Sequence, residues 1–421
     1  MTRTIATKPA LAAIDLCLVG LYIFTFAIVT LRYPVADIGI GVAILGLFFR
    51  NQAFRAPTFF WLICAYVLWS VLVSSFSGNW QLASESIVDR MKVAAMVLVL
   101  VNAIQSVKQF QMFLIFFVFC FMIYPIRGAL LNYFVIGHTS MGRAIWNATY
   151  GNPNDLATLA TLALGVMIAL ITIPNQNRWI KLTVGAAAIA TVVTIVLTQS
   201  RGALIGIVAG FGIASVKLFT FSFRRILLVF AVIVAIAIFV PAKTWERFAG
   251  ISKLTSTETI AEADPEGSAE QRFAIAKTAW KIWLDHPVFG TGLNSYKIMN
   301  YRYAPELGAK DAHNTYLDLA VEIGLPGLMI WLTIVGSVFS FATKVRQTCN
   351  IPKNDFLGIW IQRALVAFLV AGFFGTYSSL NLLYFVLALL WIAANLAKGE
   401  QTPANRVPAS KKISAPTRPG S

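Results

Sequence analysis

Three histidines occur in the chain, His138, His286 and His313. His313 opens the run His313-Asn314-Thr315-Tyr316-Leu317-Asp318, and Glu322 and Gly324-Leu325-Pro326-Gly327 follow it. An imidazole titrates near pH ~6.5 and can take up a proton at neutral pH. At the edge of a rigid apolar element, His313 therefore suits a general base; a structural hydrogen-bonding role is the other reading. Helical spacing aligns Asn314, Asp318 and Glu322 on one stripe, at i, i+4 and i+8. Carboxylates within an apolar span are costly, and are retained either for function or for pairing with neighbouring helices.

A second group of residues suits anion binding. Thr198-Gln199-Ser200-Arg201-Gly202 forms a tight turn between two apolar runs. Ser200 is a natural N-cap, which puts Arg201 in the first turn of the next helix. Free backbone N–H groups and a forked guanidinium then face the same phosphate. Arg272 repeats the arrangement in the first turn of a helix expected to open at Ser268. Arg90, Arg127, Arg143 and Asn314 are weaker candidates for substrate binding. Arg127 falls inside an apolar run, where turning it to lipid would cost at least about 2.5–3.5 kcal/mol, so it is expected to face the bundle interior. Each arginine alone also fits a headgroup contact or helix-end anchor. Their convergence on the side that carries His313 is the informative part.

Other motifs carry less. Gly290-Thr291-Gly292 lacks a third glycine and a preceding strand, and reads as a turn rather than a dinucleotide loop. Glu262-Ala263-Asp264-Pro265-Glu266 reads as a solvated acidic loop before it reads as a cation site. The histidines lack the spacing of a zinc site. Cys17, Cys64, Cys120 and Cys349 resemble neither a disulfide framework nor a metal site. No metal site and no cofactor is expected.

The elements that must position these residues are read from composition. Of 421 residues, 58% are hydrophobic and 12% charged, about half the charge of a soluble domain. A bilayer core of ~30 Å needs about 20 apolar residues per helix. Twelve such runs lie near 10–31, 35–49, 57–75, 93–107, 109–135, 155–173, 179–198, 202–220, 225–241, 319–343, 358–377 and 380–397. The fold class is thus an all-α polytopic membrane protein. The net charge of +16 is an orientation signal rather than a nucleic-acid footprint. Segments on one side hold nineteen Lys and Arg against Asp355 and Glu400, so by the positive-inside rule that side is cytoplasmic. Both termini are then cytoplasmic, and His313, Arg201 and Arg272 are extracytoplasmic.

Four regions follow: spans one to nine over 1–241, an extracytoplasmic loop over 242–313, spans ten to twelve over 314–397, and a disordered basic tail over 398–421. A loop of that length is usually functional or disordered. Ser268 with Gln271 forms a capping-box pattern, opening a helix that Pro287 should end. Phe273, Ala276, Trp280 and Trp283 recur on it at helical spacing, as an apolar stripe that would lie along the membrane interface and lid what opens beneath.

The segments Thr198–Gly206, Arg272 through His286-Pro287-Val288-Phe289-Gly290 to His313-Asn314, and Gly324–Gly327 resemble the O-antigen ligase/polymerase family. Tyr150-Gly151-Asn152-Pro153-Asn154-Asp155 is similar to a further family stretch. The resemblance covers roughly 150–340. It implies a GT-C-like helical fold with about twelve transmembrane helices, in the bacterial inner membrane with a periplasmic active site. It further implies a glycosyltransferase that moves a glycan from undecaprenyl diphosphate to an acceptor, lipid A–core in a ligase. His313 matches the family's histidine base, and Arg201 and Arg272 match its donor-facing arginines. Leu328 stands where many ligases have Thr or Val, a departure that bears on ligase versus polymerase. An exopolysaccharide polymerase and a protein O-oligosaccharyltransferase share the donor and differ in acceptor. A transporter, the alternative of another class, would show paired broken helices.

Overall fold

The computed structural model describes residues 15–30, 33–50, 53–78, 80–212, 268–351 and 357–400. Among these the chain is helical throughout, and it is a polytopic helical membrane protein. In chain order the helices are α1 (Leu16–Val29), α2 (Tyr33–Phe48), α3 (Thr58–Phe76), α4 (Trp80–Ala103), α5 (Val107–Ile136), α6 (Pro153–Thr172), α7 (Arg178–Leu197) and α8 (Arg201–Gly212). After them come α9 (Ser268–Asp285), α10 (Tyr296–Tyr303), α11 (Thr315–Thr348), α12 (Gly358–Ala371) and α13 (Asn381–Glu400). Six of these, α3, α5, α6, α7, α11 and α13, are long and apolar enough to cross a membrane, and α1, α2, α8 and α12 are shorter apolar helices. The expected ninth span at 225–241, the acidic loop and the tail from 401 lie outside the described residues. The expected fourth span starts earlier than its apolar run. Residues 80–92, read as a connection, are the first half of α4 and carry Glu85, Asp89, Arg90 and Lys92.

Local chemistry sets the helix starts. The Asp15 carboxylate accepts from the N–H groups of Cys17 and Leu18, Ser106 and Gln109 form a reciprocal capping box, and Asn152 caps α6 ahead of Pro153 at its first position. Each such cap contributes about 1 kcal/mol. The centre of the bundle is α6, whose Ala, Leu and Thr side chains are nearly all buried, flanked by α7 and α12. On its other side Phe113 and Phe117 of α5 pack against Phe385 of α13, with ring centroids 5.9 and 5.3 Å apart.

Two helices are irregular. α5 widens into π-type turns at Met122–Ile126, around Pro125, and at Asn132–Ile136; a proline that cannot donate its N–H is accommodated in this way. Downstream, Ile126, Ala129 and Asn132 turn inward and are buried. Arg127, a third of a turn from Ile126, is exposed on the outer face. The inward orientation expected from its apolar neighbours is therefore wrong: the helical period gives the interior to Ile126 and Ala129.

α11 was expected as one continuous span, but it is broken at Gly324, whose φ of 69° and ψ of 178° are not helical and are essentially restricted to glycine. A side chain at Gly324 would collide with the carbonyl of Val288. The carbonyls freed by the break are all engaged. Thr291 N donates to Val321 O and Gly292 N to Glu322 O, both at 2.8 Å, while Leu325 N donates back to Pro287 O at 2.9 Å. The Trp69 indole of α3 donates to Ile323 O at 2.8 Å. Pro326 then occupies the start of the second segment, where a missing N–H costs nothing. Gly290-Thr291-Gly292 is thus a turn, as its sequence suggests, docked into a broken helix.

α9 ends just before Pro287, as expected. Its protein-facing side is a second apolar stripe, separate from the one expected to lie along the membrane interface. Ile275, Ala279 and Ile282 are fully buried and form a small second core with Tyr296 of α10 and Ala312 and Val321. Phe273 and Trp280 are 64% and 51% exposed. The helix carries two apolar stripes, and the smaller β-branched and alanine side chains fit closer against α11 than the aromatic ones.

Candidate active site

His313 stands between these two cores. Its backbone is left-handed, with φ of 48°, a conformation histidine tolerates better than most residues. The following Asn314 caps α11, its side-chain oxygen accepting from Tyr316 N at 2.9 Å and Leu317 N at 3.1 Å. Next to it, Thr315 N donates to Gly372 O, and the Thr315 hydroxyl donates to Gly375 O, both at 2.7 Å, and accepts from Tyr377 N at 2.9 Å. The start of α11 is thereby stitched to the turn that joins α12 to α13.

His313 lines a cavity of about 400 Å³, within the size range of ligand pockets. Asp318 and Glu322, one and two turns further along α11, line the same cavity with Arg90 of α4, Asp155 of α6 and Tyr377. Arg90 is held in place from behind: its guanidinium lies 5.1 Å from the Tyr66 ring centroid and donates to the Tyr66 hydroxyl at 3.3 Å and to Ser86 O at 3.4 Å. Across the cavity mouth, Lys297 and Asp311 pair at 3.1 Å. Lys92, which shares α4 with Arg90, pairs instead with Asp37 at 3.0 Å on the outer surface.

The imidazole of His313 makes no side-chain hydrogen bond among the described residues. Its pKa is held below the ordinary 6.5, chiefly by burial and then by the positive charge of Arg272, against the pull of Asp311. At neutral pH it is an unprotonated base open to the cavity. Tyr377 is pushed up to about 12 by burial; a hydrogen bond with Thr158 lowers it, Asp155 raises it, and Arg272 and Arg143 lower it. Tyr377 is therefore a persistent proton-bearing phenol on the cavity wall. Arg272 acts on both groups through its charge. It sits a full turn into α9, beyond the free N–H groups of the helix end, so it does not repeat the helix-terminus arrangement expected of it.

Arg201 begins α8 with Ser200 as the preceding cap residue, as the turn suggested. Ser200 makes no capping hydrogen bond through its side chain; the turn is shaped instead by a left-handed Gln199, φ 53°. Arg143 fastens it, donating from Nε to Thr198 O at 2.7 Å and from its second arm to Asn154 Oδ1 at 2.8 Å. Gly202, which has no side chain, lets Phe374 pack directly against this first turn. Phe374 precedes Gly375, a cavity-lining residue.

The structure thus brings His313 and Arg90 onto one cavity, with Arg272 in electrostatic range and Arg143 fixing the Arg201 turn beside it. It leaves Arg127 on the outer face of α5, away from this wall. Asp155 and Tyr377 were not singled out in sequence, although the polar run Gly375-Thr376-Tyr377-Ser378-Ser379 between two apolar runs was a visible signal.

The chain matches no curated protein. Residues 186–332 match the family described as O-Antigen ligase, a stretch that contains Arg201, Arg272, His313 and the break at Gly324. Arg90, Arg143, Asp155 and Tyr377 are contributed from outside it. Over that stretch, which carries His313, Arg201 and Arg272, the chain is similar to the O-antigen ligase family.

Proposed function

We propose that this protein is an O-antigen ligase that transfers polysaccharide en bloc from undecaprenyl diphosphate to lipid A–core on the periplasmic face of the inner membrane. Glycosyl transfer of the ligase/polymerase type follows from the family; the donor, the acceptor and the side of the membrane are our reading. The observation that carries it is His313: a half-buried imidazole, without a side-chain hydrogen bond among the described residues, kept neutral beside Arg272 and lining a polar cavity.

In this mechanism the acceptor hydroxyl oxygen attacks the anomeric carbon of the donor sugar as His313 takes its proton. The bond from that carbon to the diphosphate oxygen breaks, and undecaprenyl diphosphate leaves with the electron pair. A single displacement inverts the anomeric configuration. General-base assistance of this kind contributes typically about 10²–10⁴-fold. Arg201 and Arg272 face the diphosphate and stabilise its developing charge, which two guanidiniums can do without a metal. Tyr377 adds a protonated donor beside them. In this reading the bundle is twelve-span and GT-C-like, with both termini cytoplasmic.

The test is transfer by purified protein from a lipid-linked glycan to lipid A–core in the presence of EDTA. Product that persists in chelator and is lost in His313→Ala and Arg201→Ala supports the reading; full activity of His313→Ala sinks it. In cells, loss of a ligase leaves bare core, whereas loss of a polymerase leaves single-repeat caps.

A further inference from the structure

The cavity beside His313 is lined by carboxyls that general-base chemistry does not require. Asp318 and Glu322 line it and are each only 8% exposed. The Asp318 carboxylate accepts no hydrogen bond among the described residues, and Glu322 accepts from Tyr296 N at 3.3 Å. A carboxylate buried to this degree without a partner leaves strong acceptor capacity directed into the open volume. Asp155 and Asp311 add two more carboxyls to the wall. Lys297 is already paired with Asp311, and Arg90 is turned onto Tyr66. The volume is therefore rich in acceptor oxygens and suits a ligand rich in O–H or N–H donors.

We propose that Asp318 and Glu322 form the recognition subsite for the acceptor sugar, holding its hydroxyl or ammonium hydrogens and discriminating against phosphorylated sugars. This rests on the transferase reading above, in which the anionic diphosphate of the donor is drawn to Arg201 and Arg272. The same acceptor-rich lining offers that diphosphate few hydrogen-bond donors, so donor and acceptor are separated by chemistry rather than shape alone. Short O–H···O⁻ hydrogen bonds to a sugar are among the stronger neutral-ligand contacts. A buried site built for such donors discriminates steeply against ligands that cannot supply them.

The experiment uses the full chain in lipid nanodiscs and reads binding, not transfer. Glucose, glucosamine and glucose 6-phosphate are titrated by saturation-transfer NMR into the wild type, Asp318→Asn, Glu322→Gln and, as a control away from the cavity, Lys92→Ala, with melting temperatures measured in parallel. Glucose and glucosamine are expected to bind the wild type and Lys92→Ala alike, and about ten- to a hundredfold more weakly in the two amide variants. Glucose 6-phosphate is expected to bind the wild type at least about tenfold more weakly than glucose, with the gap closing in Asp318→Asn. Asp318→Glu, which keeps the charge, guards against an unfolded amide variant and should retain the discrimination. Equal affinity for the three sugars in the wild type, or unchanged glucose binding in both amide variants, overturns the subsite. A transfer assay that fails while this binding pattern holds counts against the transferase reading and not against the subsite.

Discussion

Arg143 Nε donates to the carbonyl of Thr198 at 2.7 Å, so the turn that carries Arg201 is fastened by a residue 55 positions upstream. A hydrogen bond from a charged donor is worth about 1.5–3 kcal/mol. Arg143→Ala is expected to lower the melting temperature and to slow transfer although Arg201 is intact. Arg143→Lys, which cannot reach Thr198 and Asn154 with one planar fork, should recover only part of both. Wild-type turnover in Arg143→Ala would show that the turn holds its shape unaided.

The acid limb of activity should report His313. Its folded pKa is depressed, so it is neutral at pH 7, and its capacity as a base is lost only as pH falls through that lowered value. Removing the neighbouring positive charge raises it. In Arg272→Gln the acid limb of kcat is therefore expected to move to higher pH, apart from any fall in rate. The same sign holds for stability: a group less protonated folded than unfolded contributes fully above its unfolded pKa and less below it. An acid limb that stays put in Arg272→Gln would mean that another group sets it.

Gly324 is the position where a single methyl should do most harm. Gly324→Ala meets both a left-handed backbone and the Val288 carbonyl, and strain of the first kind alone costs about 1–3 kcal/mol. Gly336, in the regular part of α11 with open space around it, is the control. The melting temperature should fall sharply in Gly324→Ala and change little in Gly336→Ala. Comparable melting of the two would mean that the break is not built around the glycine.

Thr315 offers a test of the stitching between α11 and Tyr377. Thr315→Val keeps the shape but leaves the Gly375 carbonyl and the Tyr377 N–H without their partner, at about 1–3 kcal/mol for each buried group left unsatisfied. Loss of stability and of turnover is expected together, with Thr315→Ser close to wild type. Retained turnover in a destabilised Thr315→Val would separate Tyr377 from the chemistry.

What could be read in sequence was largely local. Ser200 and Pro287 mark helix ends through their own backbone preferences, and those ends stand where expected; the Asn314 cap of α11 was not read in sequence. His313, Arg201 and Arg272 could be grouped on one side because charge bias and span counting need no tertiary information. Tyr377 and Asp155 escaped because they reach the cavity from segments far apart in sequence. The break at Gly324 escaped for a related reason: its freed carbonyls are satisfied by Trp69 and by Thr291 and Gly292, partners no local pattern announces. On α9 the 3.6-residue period supported two faces equally, and only packing against Val321 chose Ile275, Ala279 and Ile282.

The break in α11 also divides that helix by depth. From Leu325 to Thr348 the chain rises about 36 Å at 1.5 Å per residue, enough by itself to cross a hydrocarbon core of ~30 Å. The shorter segment that carries Asp318 and Glu322 is then surplus to the crossing. Outside the crossing length, a carboxylate is far cheaper to keep than at the bilayer centre. A helix that ran straight through would leave its first two turns to tilt or protrude freely; breaking it at Gly324 lets one continuous element serve as both membrane anchor and floor of a water-facing site.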